Sequence, residues 1–313
     1  MRRSGVTGRA SATPRGMAFP ARGEAWVVSC APSGAAHRFE ARRGVEAEPS
    51  AAAVVVSDAI TLYRVLQLPD ADEATLDQMV ASQLGSLLPE RSGPIGVGWS
   101  RHSGELLAVG ARRASLDAAT RKAAHAVVVV PAGVATAAVV REALGRASGP
   151  VPRTAVVNVE ADVTTVLALT EAGLESAASA ERGSIDLDTA EGRGGWIEEV
   201  VDAVDAASAE RIVVIGEADP ACVAALTDRL GAAVEDAHAL AGRLGLPGDA
   251  DALRAAGAAL AARPGAGLPV FRRAGEGATA SRSPVPRAWL PHAVAAAWLV
   301  VAIAMVAWLD VTR

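Results

Sequence analysis

Residues 288–309 read AWLPHAVAAAWLVVAIAMVAWL, a run of 22 residues without one formally charged side chain. As a helix rising ~1.5 Å per residue it reaches ~33 Å, enough to cross a ~30 Å hydrocarbon core. Trp289 and Trp308 stand near its two ends, where amphipathic rings favour the lipid interface, and Trp298 lies mid-span. Pro291 falls in the first turn, where its missing N–H is harmless. No polar stripe interrupts the last 17 residues, so the run predicts a membrane helix anchored by these three tryptophans rather than a buried core helix. Flanking charge sets its orientation: Arg272, Arg273, Arg282 and Arg287 precede the span, and only Asp310 and Arg313 follow it. The positive-inside rule then puts the large N-terminal body in the cytoplasm, with residues 310–313 as a short tail on the far side.

Charge divides the remaining chain. Residues 1–22 carry five arginines and no acid, and residues 264–287 carry a net +3. With the total at −5, the body between them, 23–263, carries −13. An acidic body does not displace counterions from a phosphate backbone, so no nucleic-acid partner is expected. No apolar run follows Arg2 and Arg3, so residues 1–22 read as a disordered basic tail, not an export signal. Residues 264–287, rich in Pro, Gly, Ser and Arg, read as a flexible basic tether. The chain has 72 Ala and 29 Arg against one Lys, one Asn and one Tyr, which reads as the codon bias of a GC-rich bacterial genome.

The body alternates strand-like and helix-like runs. Strands are expected at Trp26–Ser29, Ala53–Val56, Ile60–Leu68, Ile95–Trp99, Leu106–Ala111 and Ala126–Val130. Helices are expected at Thr75–Leu88, at Ser115–Ala124 with Ser115 as cap, and at Val134–Leu144. The Gly149–Pro152 break opens a second unit. Its strands are expected at Thr154–Val159, Thr164–Leu169, Arg211–Ile215 and Ala233–Glu235, with a third strand and a loop within 170–192. Its helices are expected at Trp196–Ala207, Pro220–Leu230 and Asp249–Ala262. The result is an α/β chain in two lobes, about 23–148 and 149–263, whose strand pairs leave room for a relation between them.

Familiar chemistry is missing. Cys30 and Cys222 have no CxxC partner, and the five histidines lack the spacing of a metal site, so no metal is expected. No GxSxG, Walker A or GxGxxG occurs, and no catalytic residue stands out.

The run Leu66-Gln-Leu-Pro69, the helix after it, Leu87-Leu88-Pro89 and the strand ending in Trp99 resemble the actin-like PilM/GspL family of type IV pili and type II secretion systems. The segment Arg-Ile-Val-Val-Ile-Gly216, followed by a helix, Leu230-Gly231 and Val234-Glu235, resembles a late segment of that family. Leu253–Leu260 resembles its closing helix, and Gly267–Phe271 is similar to the short stretch before the membrane span in GspL. The resemblance runs over roughly residues 50–310. It implies a two-lobed actin-like (ASKHA-type) cytoplasmic domain followed by a single C-terminal transmembrane helix. It also implies that Leu268, Pro269 and Phe271 dock back onto the body, as a partner's peptide does where the family uses separate chains; the plainer reading of that segment is linker.

Departures from the family pattern bear on the nucleotide. An actin-like ATPase carries Asp-x-Gly in its first hairpin, where backbone approaches phosphate and the carboxylate orders Mg²⁺. Here Val28-Ser29-Cys30-Ala31-Pro32 is assigned to that place. The second phosphate hairpin reads Asn158-Val159-Glu160, with a side chain and a negative charge where glycine would admit phosphate. Asn158, Thr164, Thr165 and Gly216 are the nucleotide-binding candidates that remain; their plainer reading is turn chemistry. No cationic group lies near these loops in sequence. The expectation is therefore a degenerate actin-like domain without ATP hydrolysis and without a cofactor. It is a scaffold of a type II secretion or type IV pilus-like machine in the bacterial inner membrane. By the resemblance, its partners are the assembly ATPase, inner-membrane platform proteins and membrane lipid. The alternatives are an actin-like ATPase that binds nucleotide, or an unrelated tail-anchored receptor or signalling domain.

Overall fold

A computed structural model of the chain describes residues 14–18, 25–33, 36–44, 53–88, 93–123, 126, 128–146, 150–218 and 220–272. Short apolar segments build its first sheet. Arg15–Ala18 (β1), Ala25–Ser33 (β2) and Ala36–Gly44 (β3) form an antiparallel meander, and Ala53–Val56 (β4) runs parallel to β1. After a 3-10 turn at Asp58–Ile60 the chain leaves this sheet. Leu62–Leu66 (β5), helix Glu73–Gly85 (α1), Ile95–His102 (β6), Glu105–Arg112 (β7) and helix Arg113–Ala119 (α2) make a small excursion with its own three-stranded sheet, β5-β7-β6. Its hairpin turns at Ser103 (φ 47°) and Gly104 (φ 89°), two successive left-handed residues of the kind that match strand twist. Val128–Pro131 (β8) returns parallel to β4 and runs directly into helix Ala132–Gly145 (α3).

The second half repeats this plan. Thr154–Val159 (β9), Thr164–Thr170 (β10) and Gly173–Ala180 (β11) form a meander. Helix Ala190–Ala207 (α4) leads to Arg211–Gly216 (β12), parallel to β9, and helix Pro220–Leu230 (α5) leads to Val234–Asp236 (β13), parallel to β12. Helices Ala237–Leu244 (α6) and Ala250–Ala261 (α7) follow, and Phe271–Arg272 (β14) joins the far edge of the first sheet beside β8. The strand orders are β14-β8-β4-β1-β2-β3 and β11-β10-β9-β12-β13. Around its first strand, each sheet places the second and third strands on one side and two parallel strands on the other. The two lobes are thus one topology used twice.

The core makes use of the alanines. α3 and α7 pack against each other, with Ala135, Ala137, Val139, Ala252, Ala255, Ala256, Ala258 and Ala259 fully buried. A Cβ on Gly257 would stand 1.8 Å from the carbonyl oxygen of Ala135, so the two helix backbones touch at that point. A Cβ on Gly16 would stand 1.9 Å from the oxygen of Ala255, so β1 lies equally close on α7. Small residues at these positions are a condition of the packing.

Several expectations change. The boundary at residue 23 does not hold, because Arg15–Ala18 is the central strand of the first sheet, and Met17 is fully buried. Its pairing with both β2 and β4 is non-local, so four residues among arginines give no local sign of it. β3 and α6 were not expected; β3 is an edge strand whose exposed face is charged. Ser115 does not cap α2: Arg112 occupies the N-cap, and Ser115 lies inside the helix. α7 belongs with β1, β2 and α3, so the first lobe includes residues beyond 249. The expected span at 288–309, with Trp289, Trp298 and Trp308, lies outside the described residues. Among the described residues no helix is long and apolar enough to cross a membrane.

Candidate functional site

The repeated topology locates the two hairpins that the family resemblance singles out. In the second lobe the first two strands are joined by residues 160–163. The matching connection in the first lobe is the one between β1 and β2, residues 19–24, which lie outside the described residues. Val28–Pro32, assigned to that hairpin from sequence, instead sits within β2. The assignment failed because it rested on the first strong apolar run, and β1 precedes that run.

The four nucleotide candidates do come together. Asn158 and Thr165 are register partners across β9 and β10, and Gly216 pairs beside Val159 at the end of β12. Asn158, Thr164 and Thr165 are fully buried. Their polar groups are engaged within the protein. Trp196 Nε1 donates to Thr164 Oγ1 at 2.8 Å. Asn158 Nδ2 donates to Asp58 Oδ2 at 3.0 Å, and Asn158 Oδ1 accepts from Thr136 Oγ1 at 3.1 Å and from Arg254 Nη2 at 3.0 Å. The amide orientation is forced: a guanidinium has only donors to offer, and a carboxylate has only acceptors. Gly216 adopts φ 134°, and a Cβ there would meet the Val159 carbonyl oxygen at 2.0 Å. Close approach of β12 to β9 therefore requires that glycine.

Asp58 is the residue the sequence reading missed. It follows an all-apolar strand and is 2% exposed in the 3-10 turn after β4. Besides Asn158, its carboxylate accepts from Tyr63 Oη at 2.6 Å and from the backbone N–H of Gly133 at 2.9 Å. Gly133 lies in the first turn of α3, so the carboxylate occupies the place where a helix N-terminus attracts an anion. Burial raises the Asp58 pKa, opposed by the hydrogen bonds from Tyr63, Gly133, Thr165 and Asn158. Burial raises the Tyr63 hydroxyl too, with the Asp58 charge adding to it.

Arg254 corrects a second expectation. A cation does lie beside the second hairpin, brought there by α7 from almost a hundred residues away. It is 7% exposed and donates to Asn158 Oδ1, to the Val159 carbonyl at 2.9 Å and to Asp251 Oδ1 at 2.9 Å. Glu160 completes the cluster by accepting the Asp58 backbone N–H at 2.7 Å. Burial, then the nearby Asp58 charge, push the Glu160 carboxyl up to about 7, with Arg254 opposing. The hairpin's outer carbonyls are also taken: Ser184 N–H donates to Glu160 O at 2.8 Å, and Ile185 N–H to Ala161 O at 3.2 Å. One hint of this cluster stood in the composition, since the chain's single Asn and single Tyr both belong to it.

The docking candidates lie elsewhere. Phe271 is 1% exposed and pairs with Val129 of β8, and Pro269 is buried. A Cβ on Gly98 would meet the Val270 carbonyl oxygen at 2.3 Å, so the backbone of this segment rests directly on β6. Leu268 lines a groove of about 860 Å³ that runs along β6 past Ile95, Val97, Trp99 and Arg101.

No protein-family model matches the sequence, and no curated protein matches it either. Solved structures do. A chain of the "PilM-PilN type IV pilus biogenesis complex" aligns with a TM-score of 0.56 at 14% identity, over 80% of this chain and 99% of that one. A Bacteroides thetaiotaomicron protein with an actin-like ATPase fold and unknown function aligns at TM-score 0.46 and 8% identity, over 72% and 90%. The cytoplasmic domain of EpsL, an inner-membrane component of the Vibrio cholerae type II secretion system, aligns at 0.37 and 12%, over 64% and 80%. The duplicated sheets, the two helices packed between them and the near-complete overlap with the pilus biogenesis chain give one conclusion: this chain has the two-lobed actin-like fold, in the form found in the PilM-PilN complex.

Proposed function

We propose that this protein is a PilM/GspL-type scaffold of a type IV pilus or type II secretion machine, held at the bacterial inner membrane by its C-terminal span. Its actin-like body serves binding and does not hydrolyse ATP. The observation that carries this reading is the cluster of Asp58, Asn158, Glu160 and Arg254 at the second phosphate hairpin. The hairpin is closed by buried side chains bonded to one another, and the guanidinium beside it is already shared among Asp251, Asn158 and Val159. A nucleotide would have to displace all of these bonds and face uncompensated negative charge. The likeness to a chain of a pilus biogenesis complex supports the scaffold role. The Leu268–Phe271 segment is then the body's own docking element, joining it to the tether. An assembly ATPase on the cytoplasmic side, platform proteins in the membrane and membrane lipid are the partners this reading requires.

The test uses the purified full chain with a fluorescent ATP analogue and Mg²⁺, alongside crosslinking in native membranes. The expected outcome is no magnesium-dependent binding, no phosphate release, and recovery of pilus or secretion platform proteins. Saturable Mg²⁺-dependent turnover would return the site to the ATPase reading. Unchanged pilus assembly and secretion after gene deletion would remove the scaffold role.

A further inference from the structure

A second polar cluster lies away from the hairpins, where the C-terminal half of α3 meets the turn that follows α7. A cleft of about 280 Å³ opens there, lined by Arg141, Glu142, Arg146 and Arg263 over a floor of small and apolar residues that includes Ala138 and Leu268. Three guanidinium groups therefore share one concave surface on a body that is otherwise strongly acidic. Glu142 is the one carboxylate of the lining, and His37 holds both its oxygens: the His37 backbone N–H donates to Oε1 at 2.9 Å, and the ring Nδ1 donates to Oε2 at 2.7 Å. The tautomer follows from the other ring nitrogen. His37 Nε2 faces Arg263 Nη1, which can only donate, so Nε2 is the acceptor of that contact. The cleft thus carries three positive charges against one negative.

The donors are unevenly used. Arg146 is committed, to Glu142, to the Arg243 carbonyl at 3.2 Å and to the His37 carbonyl. Among the described residues, the Arg141 guanidinium has no hydrogen bond or ion pair, and that of Arg263 has only its contact with His37. Both are partly buried. Like charges held together in a half-desolvated cleft repel one another, and free N–H forks of this kind match the oxygens of a phosphate in paired fashion. Near neutral pH a phosphate group carries between one and two negative charges, which balances the net charge of the cleft.

We infer that this cleft binds a phosphate group, gripped by Arg141 and Arg263 in the field of Arg146. Its volume lies at the lower limit for small-molecule pockets, so it takes a phosphate or a small phosphoester and not a nucleotide. The phosphate belongs either to a soluble compound or to a phospholipid headgroup.

The test is binding of inorganic phosphate to the purified full chain in detergent, by calorimetry and thermal shift at pH 7, against chloride at equal ionic strength. The expected result is saturable phosphate binding with a rise in Tm beyond that of chloride, weakened about tenfold by Arg141→Gln and further by adding Arg263→Gln. Arg141→Gln removes no side-chain hydrogen bond or ion pair present among the described residues, and an unchanged Tm without phosphate separates a loss of binding in that variant from a folding defect. Equal shifts with phosphate and chloride would overturn the inference, leaving arginines that only complement the carbonyl ends of α3 and α7. Undiminished phosphate binding by the double variant would overturn it equally. Nanodiscs separate the two sources. If phosphate binds about tenfold more weakly in phosphatidylglycerol discs than in lipid-free detergent, at an ionic strength that screens the surface charge, a headgroup occupies the cleft. If its affinity is the same in both, the ligand is soluble.

Discussion

The side-chain amide of Asn158 donates to the carboxylate of Asp58 across 3.0 Å, from the first strand of the second sheet to the turn after β4 of the first. Both residues are buried, so this bond ties the two lobes together away from water. Replacing Asp58 with Ala leaves Gly133 N–H, Tyr63 Oη and Asn158 Nδ2 without an acceptor. The expected cost is about 3 kcal/mol, read as a lower midpoint in urea unfolding. Asp58→Asn should recover only part of it, because one acceptor becomes a donor facing donors.

Glu160 makes stability depend on pH. Its carboxyl titrates at about 7 in the folded protein against an ordinary value of 4.5, so the native state holds the proton more tightly than the unfolded chain. Stability from this group is complete below about pH 4.5 and is lost as pH rises through 7. The loss should be on the order of 3 kcal/mol. Glu160→Gln should flatten the profile over that window and should be the more stable protein at pH 8. A variant profile parallel to the parent's between pH 5 and 8 would exclude Glu160 as the titrating group.

The contact of α3 with α7 admits no side chain at Gly257. Gly257→Ala would place a methyl 1.8 Å from the Ala135 oxygen, and the helices would have to separate. The expected loss is about 3 kcal/mol, despite alanine's better helix propensity. Gly242→Ala, on α6 with open space around its Cα, is the control and should be neutral or slightly stabilising. Chemical denaturation of both variants measures the difference.

Phe271 fastens the start of the 264–287 stretch to the first sheet, so the expected flexible tether does not begin at 264. Phe271→Ala should release it at a cost of about 3 kcal/mol. The effect should be local: faster hydrogen exchange in β8 and β14 and new proteolysis between residues 264 and 272, with protection in β9, β10 and β12 unchanged. Gly98→Ala should have a similar effect by pushing against the Val270 backbone. Uniform loss of protection through both lobes would show instead that the segment is part of the global core.

Local chemistry made much of the architecture legible. Ala53–Val56, Thr154–Val159 and Pro220–Leu230 fold with the bounds that apolar runs, turns and helix stops indicate. The Ser103–Gly104 turn is as local, set by two successive residues at positive φ. Such features depend on neighbours within a few residues, and a sequence displays its neighbours. β1 and β3 depend instead on ladders with partners elsewhere in the chain, and the site depends on contacts longer still. Asp58 and Asn158 are 100 residues apart, and Arg254 and Asn158 are 96 apart. Neither Asp58 nor Arg254 carries a local motif, since a buried charge is defined by what surrounds it after folding. The same holds for Arg141 and Arg263, which share a cleft only because α3 and α7 lie side by side. The sequence by itself determined most of the elements, the charge division and the apolar run at 288–309. Tertiary structure decided which polar groups meet, because only packing brings distant residues within hydrogen-bond range and removes the water that would have served them.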